Sequence, residues 1–203
     1  MSAIERLFAT RLYRATIDDD ALLDELEASC VSLAEDDSAG RAWSKENGYS
    51  GYTSYASLND LAWRMPAFAA LERVLDAHAA RFARALDFDL RRKKLVCDSL
   101  WVNVLEPGGA HSGHIHPHSV LSGVVYIAVP EGASSIRFED PRLAMMMAAP
   151  MRKPGARADN QTFVHVAPER GAVLMWESWL RHEVLRNDAE EARVSVSFNY
   201  AMR

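Results

Sequence analysis

The stretch RVSVSFNYA, Arg193 to Ala201, decides the fold. Side chains alternate along an extended chain, so Val194, Val196, Phe198 and Tyr200 share one face. Arg193, Ser195, Ser197 and Asn199 share the other. Antiparallel sheets commonly bury one face and wet the other. The polar face therefore meets either bulk water or a wet cavity inside a rolled sheet, with the apolar face packed under helices. Upstream, LVCDSLWVNVL (95–105) has a similar pattern. Val96, Leu100, Val102 and Val104 point one way, with Asp98 as the exception, and Cys97, Ser99, Trp101 and Asn103 point the other. LSGVVYIAV, SSIRF, TFVHV, GAVLMW and LRHEVL read as further strands, separated by glycine, proline and charged turns. About seven short strands with few helices among them predict a mainly β fold with flanking α-helices, an antiparallel sandwich or jelly roll.

The chain before residue 95 reads differently. Leu22, Leu23, Leu26, Cys30 and Leu33 form a stripe at helical spacing, and the leading aspartates suit the positive end of a helix dipole. Pro66 suits the first turn of a second helix, in which Phe68, Leu71, Leu75, His78, Phe82 and Leu86 recur every three or four residues. His78 on that stripe reads as a packed or edge histidine. WSKENGYSGYTSYASL between the two helices reads as a loop. The expected organisation is one domain over 1–203, with a mostly helical flank over 1–94 and a jelly-roll core over 95–203.

With 203 residues and 49% hydrophobic composition, the chain can bury one sizeable core. A formal net charge of -5 argues against nucleic acid as the main partner. The one dense basic run, Arg91 to Lys94, reads as a solvated loop before a strand. No apolar stretch approaches the roughly 20 residues that cross a bilayer, and the N-terminus lacks the apolar core of a signal peptide. Cys30 and Cys97 read as small buried thiols, which predicts a reducing cytoplasm.

Four of the seven histidines fall within HSGHIHPHS, 111–119. His114 and His116, two residues apart, project from one face of a strand and can reach one ion. His182, in a predicted strand far downstream, is a third candidate that a rolled sheet can bring to them. Imidazole binds iron, zinc, copper and nickel. His111 and His118 are weaker candidates, and a His116/His118 pair is an alternative. Arg193 offers a planar fork of donors for a carboxylate, and Ser195 points the same way. A surface salt bridge is the competing reading of Arg193.

The run from Asn103 to Arg142, followed by SWLRHEV and RVSVSFNY, resembles the 2-oxoglutarate- and Fe(II)-dependent oxygenases of uncharacterised function. The shared pieces are H-x-H-P, S-G-V-x-Y, F-x-D-P-R, W-L-x-H and R-x-S. The resemblance implies a double-stranded β-helix, with His114 and His182 as iron ligands and Arg193 holding the far carboxylate of 2-oxoglutarate. It further implies oxidative decarboxylation of that cosubstrate by dioxygen, coupled to attack on a C–H bond of an unassigned small-molecule or peptide substrate. His116 stands where the wider superfamily carries an aspartate or glutamate. Three neutral imidazoles leave the ion with about one more unit of positive charge than the usual triad. Glu139 and Asp140 are the candidate acids to restore the balance, against a local turn in which Arg142 pairs with its neighbours. Asn103 and Tyr126 are candidate cosubstrate contacts; Trp176, Trp179 and the tyrosines of GYTSY are candidate pocket walls.

Two other readings stay open. One is a cupin-type three-histidine metalloenzyme without 2-oxoglutarate. Gly108 lies six positions before His114 as in the first cupin motif, but the glutamate expected near Val120 or Leu121 is missing. The other is a jelly roll that holds a small ligand without turnover. A homodimer through a sheet edge or the helical layer is compatible with all three.

Overall fold

The computed structural model describes residues 2–203. Ten strands form two antiparallel sheets. The larger contains β1 (Tyr13–Thr16), β8 (Ala172–Glu177), β5 (Leu121–Ala128), β10 (Arg193–Met202), β3 (Leu95–Leu105) and β2 (Gly51–Thr53), in that spatial order. The smaller contains β4 (His111–His114), β9 (His182–Val184), β6 (Ile136–Glu139) and β7 (Phe163–Val166). The sheets face each other as a jelly roll. β10 runs through the middle of the larger one, paired with β3 on one side and β5 on the other.

Helices α1 (Asp20–Asp36) and α4 (Pro66–Ala85) cover the outer face of the large sheet. Asp19 caps α1 by accepting the Leu22 N–H at 3.0 Å, satisfying one of the free donors at a helix start. Leu26, Cys30, Phe68, Leu71 and Leu75 are fully buried against Val102, Val196, Phe198 and Tyr200. Burial of each large apolar side chain is worth about 1.5–3 kcal/mol. That is ample to hold both helices on the sheet, as their apolar stripes predict. His78 is half-buried and bonds the Tyr13 hydroxyl at 2.8 Å, the packed edge histidine expected.

The segment read as a loop is more ordered. It begins inside a helix, α2 (Ser38–Glu46), and contains β2, which pairs with the edge of β3. Asp37 organises it, accepting the Gly40 N–H at 2.9 Å, the Tyr52 hydroxyl at 2.9 Å and the Ser57 hydroxyl. A strand of three residues is too short to show an alternation, so periodicity passed over it. β1 likewise joins the large sheet from within the expected helical flank. A four-residue helix, α3 (Leu61–Arg64), precedes α4.

A β-bulge corrects the reading of β3. Asn199 pairs with Ser99 but Tyr200 pairs with Cys97, so Asp98 is an extra residue. The inserted residue reverses the faces below it. Cys97 and Leu95 pack into the helical core, and Val96 turns outward. Above the bulge Leu100 and Val102 enter that core, while Ser99, Trp101 and Asn103 face the interior of the roll. Gly123 on β5 permits a close approach there, since a Cβ would sit 2.3 Å from Phe198 Cζ.

Among the described residues no helix is long and apolar enough to cross a membrane. Both cysteines are free. Arg91 to Lys94 form an exposed turn leading into β3.

Candidate metal and cosubstrate site

The polar face of β10 lines a cavity of about 690 Å³ between the sheets. Arg193, Ser195, Ser197 and Asn199 all border it, which settles the choice between bulk water and interior in favour of the interior. The same cavity reaches His114, His116 and His182.

Sheet pairing brings the histidines together. His114 closes β4 directly opposite His182, the first residue of β9. Opposed residues on an antiparallel pair project side by side. His116 is not on the strand, as expected from spacing, but in the turn just beyond it. Its ring stacks on His114 with centroids 5.1 Å apart, and it lies 5.2 Å from the His182 ring. One ring nitrogen from each of the three falls within 4.8 Å of the others, and among the described residues no other histidine, cysteine or carboxylate joins them. Glu139 pairs instead with Arg181 at 3.3 Å, and Asp140 holds Arg142 through two bonds of 3.0 and 2.8 Å. His118 is exposed on the cavity rim, outside the gathered set.

The hydrogen bonds orient all three imidazoles alike. His114 Nδ1 lies 2.7 Å from the Ser112 carbonyl, His182 Nδ1 lies 2.9 Å from the Leu180 carbonyl, and His116 Nδ1 lies 2.6 Å from Asn199 Oδ1. An oxygen without a proton only accepts, so each Nδ1 carries the hydrogen and each Nε2 keeps its lone pair. Outer partners of this kind are what metal-ligating histidines have. The donor set therefore fits a divalent transition metal.

Burial favours the neutral forms of His182 and His116. It pushes His182 down to about 3, with the His114 charge adding to the effect, and lowers His116 as well. His182 is 5% exposed beneath Trp176, whose ring centroid lies 4.6 Å away. Below its ordinary value of 6.5 the unfolded chain protonates His182 while the folded chain does not. Its contribution to stability is thus complete above pH 6.5 and is lost as the pH falls toward 3. The metal-free protein should lose up to about 1.4 kcal/mol per pH unit from this residue. Denaturant titrations between pH 4.5 and 6.5 measure the slope, and His182→Gln should flatten it.

Arg193 is 2% exposed. Its Nη1 donates to the Ser134 carbonyl at 2.9 Å, its guanidinium lies 5.4 Å over the Tyr126 ring, and its Nε has no partner. Burial lowers its pKa. No carboxylate among the described residues forms an ion pair with it, which disposes of the surface salt bridge. A buried cation lacking an anion, with a free donor in a cavity, suits an anionic ligand. Ser195 is buried beside it, opposite Tyr126 on β5. Asn103 lines the same cavity, where its carbonyl accepts from Thr53 Oγ1 at 2.9 Å and its amide donates to Ser197 Oγ at 3.0 Å.

Some features escaped the sequence. His111 faces the Arg193 end, bonded through Nε2 to the Tyr49 hydroxyl at 2.7 Å. Burial, then the Arg193 charge, pushes His111 down to about 3. Trp43 and Trp101 flank the expected wall Tyr55 along the cavity, with centroids 6.4 and 5.2 Å from it, and Trp101 lies 6.1 Å from His116. Of the aromatic residues expected as walls, Trp176 and Tyr55 border the cavity, as does Tyr49, which was not among them. Tyr52 lies in the helical core, and Trp179 is 47% exposed. Asn199 was visible on the polar face of RVSVSFNY, but its partner His116, 83 residues away, was not.

Fold and site together define a jelly roll whose cavity is bordered by three convergent imidazoles and a buried guanidinium. A family model described as "Putative 2OG-Fe(II) oxygenase" matches residues 99–199. The chain belongs to that family and is an Fe(II)- and 2-oxoglutarate-dependent oxygenase. No curated protein sequence matches it significantly. Solved structures share its fold at low identity. A Pseudomonas putida prolyl-4-hydroxylase is 15% identical, with TM-score 0.62 over 94% of this chain and 92% of that one. HygX from Streptomyces hygroscopicus, solved with nickel and 2-oxoglutarate bound, is 14% identical, with TM-score 0.61 over 95% and 82%. EctD from S. alaskensis is 15% identical, with TM-score 0.61 over 95% and 73%.

Proposed function

We propose that His114, His116 and His182 hold the Fe(II) through their Nε2 atoms and that Arg193 grips the far carboxylate of 2-oxoglutarate. When bound, the metal and cosubstrate supply oxidative decarboxylation of 2-oxoglutarate by dioxygen, coupled to oxidation of a substrate C–H bond. The protein's own part is to orient, bind and exclude water. Arg193 fixes one end of the cosubstrate, while Ser195, the Tyr126 hydroxyl and Asn103 line its path. Trp176 and Phe138 wall His182 from solvent. The primary substrate, a small molecule or a peptide side chain, enters past Trp43, Tyr55 and Trp101. Two free cysteines support a reducing compartment such as the cytoplasm.

The observation that carries this reading is the buried guanidinium without a carboxylate, bordering the same cavity as three convergent imidazoles. The test is Fe(II)-dependent release of succinate from 2-oxoglutarate without primary substrate. Slow uncoupled turnover is expected. Tight iron binding with no succinate would favour the cupin-type enzyme or the passive binder.

A further inference from the structure

Two of the three imidazoles take their orientation from backbone carbonyls, which every residue at those positions would supply. The third does not. His116 depends on one side chain from the opposite sheet, Asn199. The Asn199 carbonyl oxygen also accepts the Ser122 hydroxyl at 2.8 Å, and its amide donates to Ser99 Oγ at 3.2 Å. Ser122 Oγ lies 2.7 Å from Ser178 Oγ, and the Ser178 carbonyl accepts the His116 N–H at 3.0 Å. Ser122, Ser178 and Asn199 are all buried. The network runs from the His116 turn through β5 and β10 to the turn that precedes His182.

With the Asn199 carbonyl oxygen facing His116 and Ser122, the polarity of the network follows. Ser122 donates to Asn199, so it accepts from Ser178, and the Asn199 oxygen is left facing the His116 Nδ1–H. Were the amide reversed, Nδ2 would meet both Ser122 and His116. The imidazole hydrogen would then sit on Nε2, aimed at His114 and His182, and no lone pair would remain for a metal. A histidine in a turn has no strand neighbours to fix its ring, so it needs such a partner more than His114 or His182 does.

We infer that Asn199 is the positioning residue of the third metal ligand: its carbonyl locks His116 in the Nδ1–H tautomer and aims Nε2 at the ion. The inference rests on the reading of the three histidines as the metal site. The acceptor is a neutral amide where a carboxylate is a common alternative. The positive charge of a three-imidazole site is therefore not offset by this outer partner.

Long-range ¹⁵N–¹H correlation of the histidine rings in the metal-free wild type reads the tautomer directly. His116 should carry its hydrogen on Nδ1, and an Nε2–H tautomer would overturn the inference. Asn199→Ala should lose that preference and weaken Co(II) binding by about 10- to 100-fold. Asn199→Asp, which keeps an acceptor, should restore both. If Asn199→Ala binds Co(II) as tightly as wild type, Asn199 has no positioning role although the three-histidine reading survives. If the wild type binds no Co(II) at these histidines, that reading falls and takes the inference with it.

Discussion

Replacing His182 by alanine is expected to abolish metal binding, a larger effect than the roughly 10- to 100-fold that follows loss of an outer partner. His182 is the only one of the three imidazoles contributed by the distant segment, and it faces His114 across the β4–β9 pair. Without it two adjacent side chains remain, and neither Glu139 nor Asp140 is free to substitute, each being held by an arginine. Co(II) absorption and a chelator competition measure the loss, and succinate release should vanish with it. His118→Ala should leave metal affinity unchanged, because that ring lies outside the gathered set. Equal losses in the two variants would revive the His116/His118 pairing. Cooperative unfolding of metal-free His182→Ala separates loss of a ligand from loss of the fold.

Arg193→Leu should leave metal affinity intact and weaken 2-oxoglutarate binding by about 2–5 kcal/mol, the cost of truncating one partner of a buried charge pair. In dissociation constant that is about 30-fold to several thousand-fold. Calorimetry on the metal-loaded protein reads it, and Arg193→Lys should fall between, retaining charge without the two-pronged geometry. The ligand-free stability should move the other way. Arg193 is a buried cation with no carboxylate partner and one free donor. Leucine removes that desolvated charge, so the ligand-free variant should unfold at the same temperature as wild type or higher. Saturating 2-oxoglutarate should stabilise wild type by about 2.7 kcal/mol at a hundred times its dissociation constant and the variant by less than about 1 kcal/mol. Wild-type affinity in Arg193→Leu would remove the anchor assignment.

The two variants probe different residues of one cavity that share no hydrogen-bond partner. Their effects on metal and cosubstrate should therefore be separable: His182 controls the ion, and Arg193 controls the anion. A ligand-binding jelly roll without turnover would show both binding effects and release no succinate.

The amino-acid order by itself determined the layered architecture. Alternation in RVSVSFNYA holds without interruption from Arg193 to Tyr200, and the stripes of α1 and α4 place Leu26, Phe68, Leu71 and Leu75 in the core. These are properties of neighbours along the chain, set by the two-residue period of a strand and the 3.6-residue turn of a helix. The histidine spacing and the arginine eleven positions after His182 were legible for the same reason, as were the motifs of the family.

Tertiary structure decided what depends on chains far apart in sequence. The bulge at Asp98 exists only in the register of β3 against β10, so the exchange of Val96 and Cys97 between faces could not be read from β3 alone. β2 is a strand because β3 offers it an edge. The choice of His116 over His118, the exclusion of Glu139 and Asp140, and the Asn199 contact all follow from how the two sheets close on each other. Local periodicity specifies which face a residue occupies. Only closure of the roll specifies which residue it meets there.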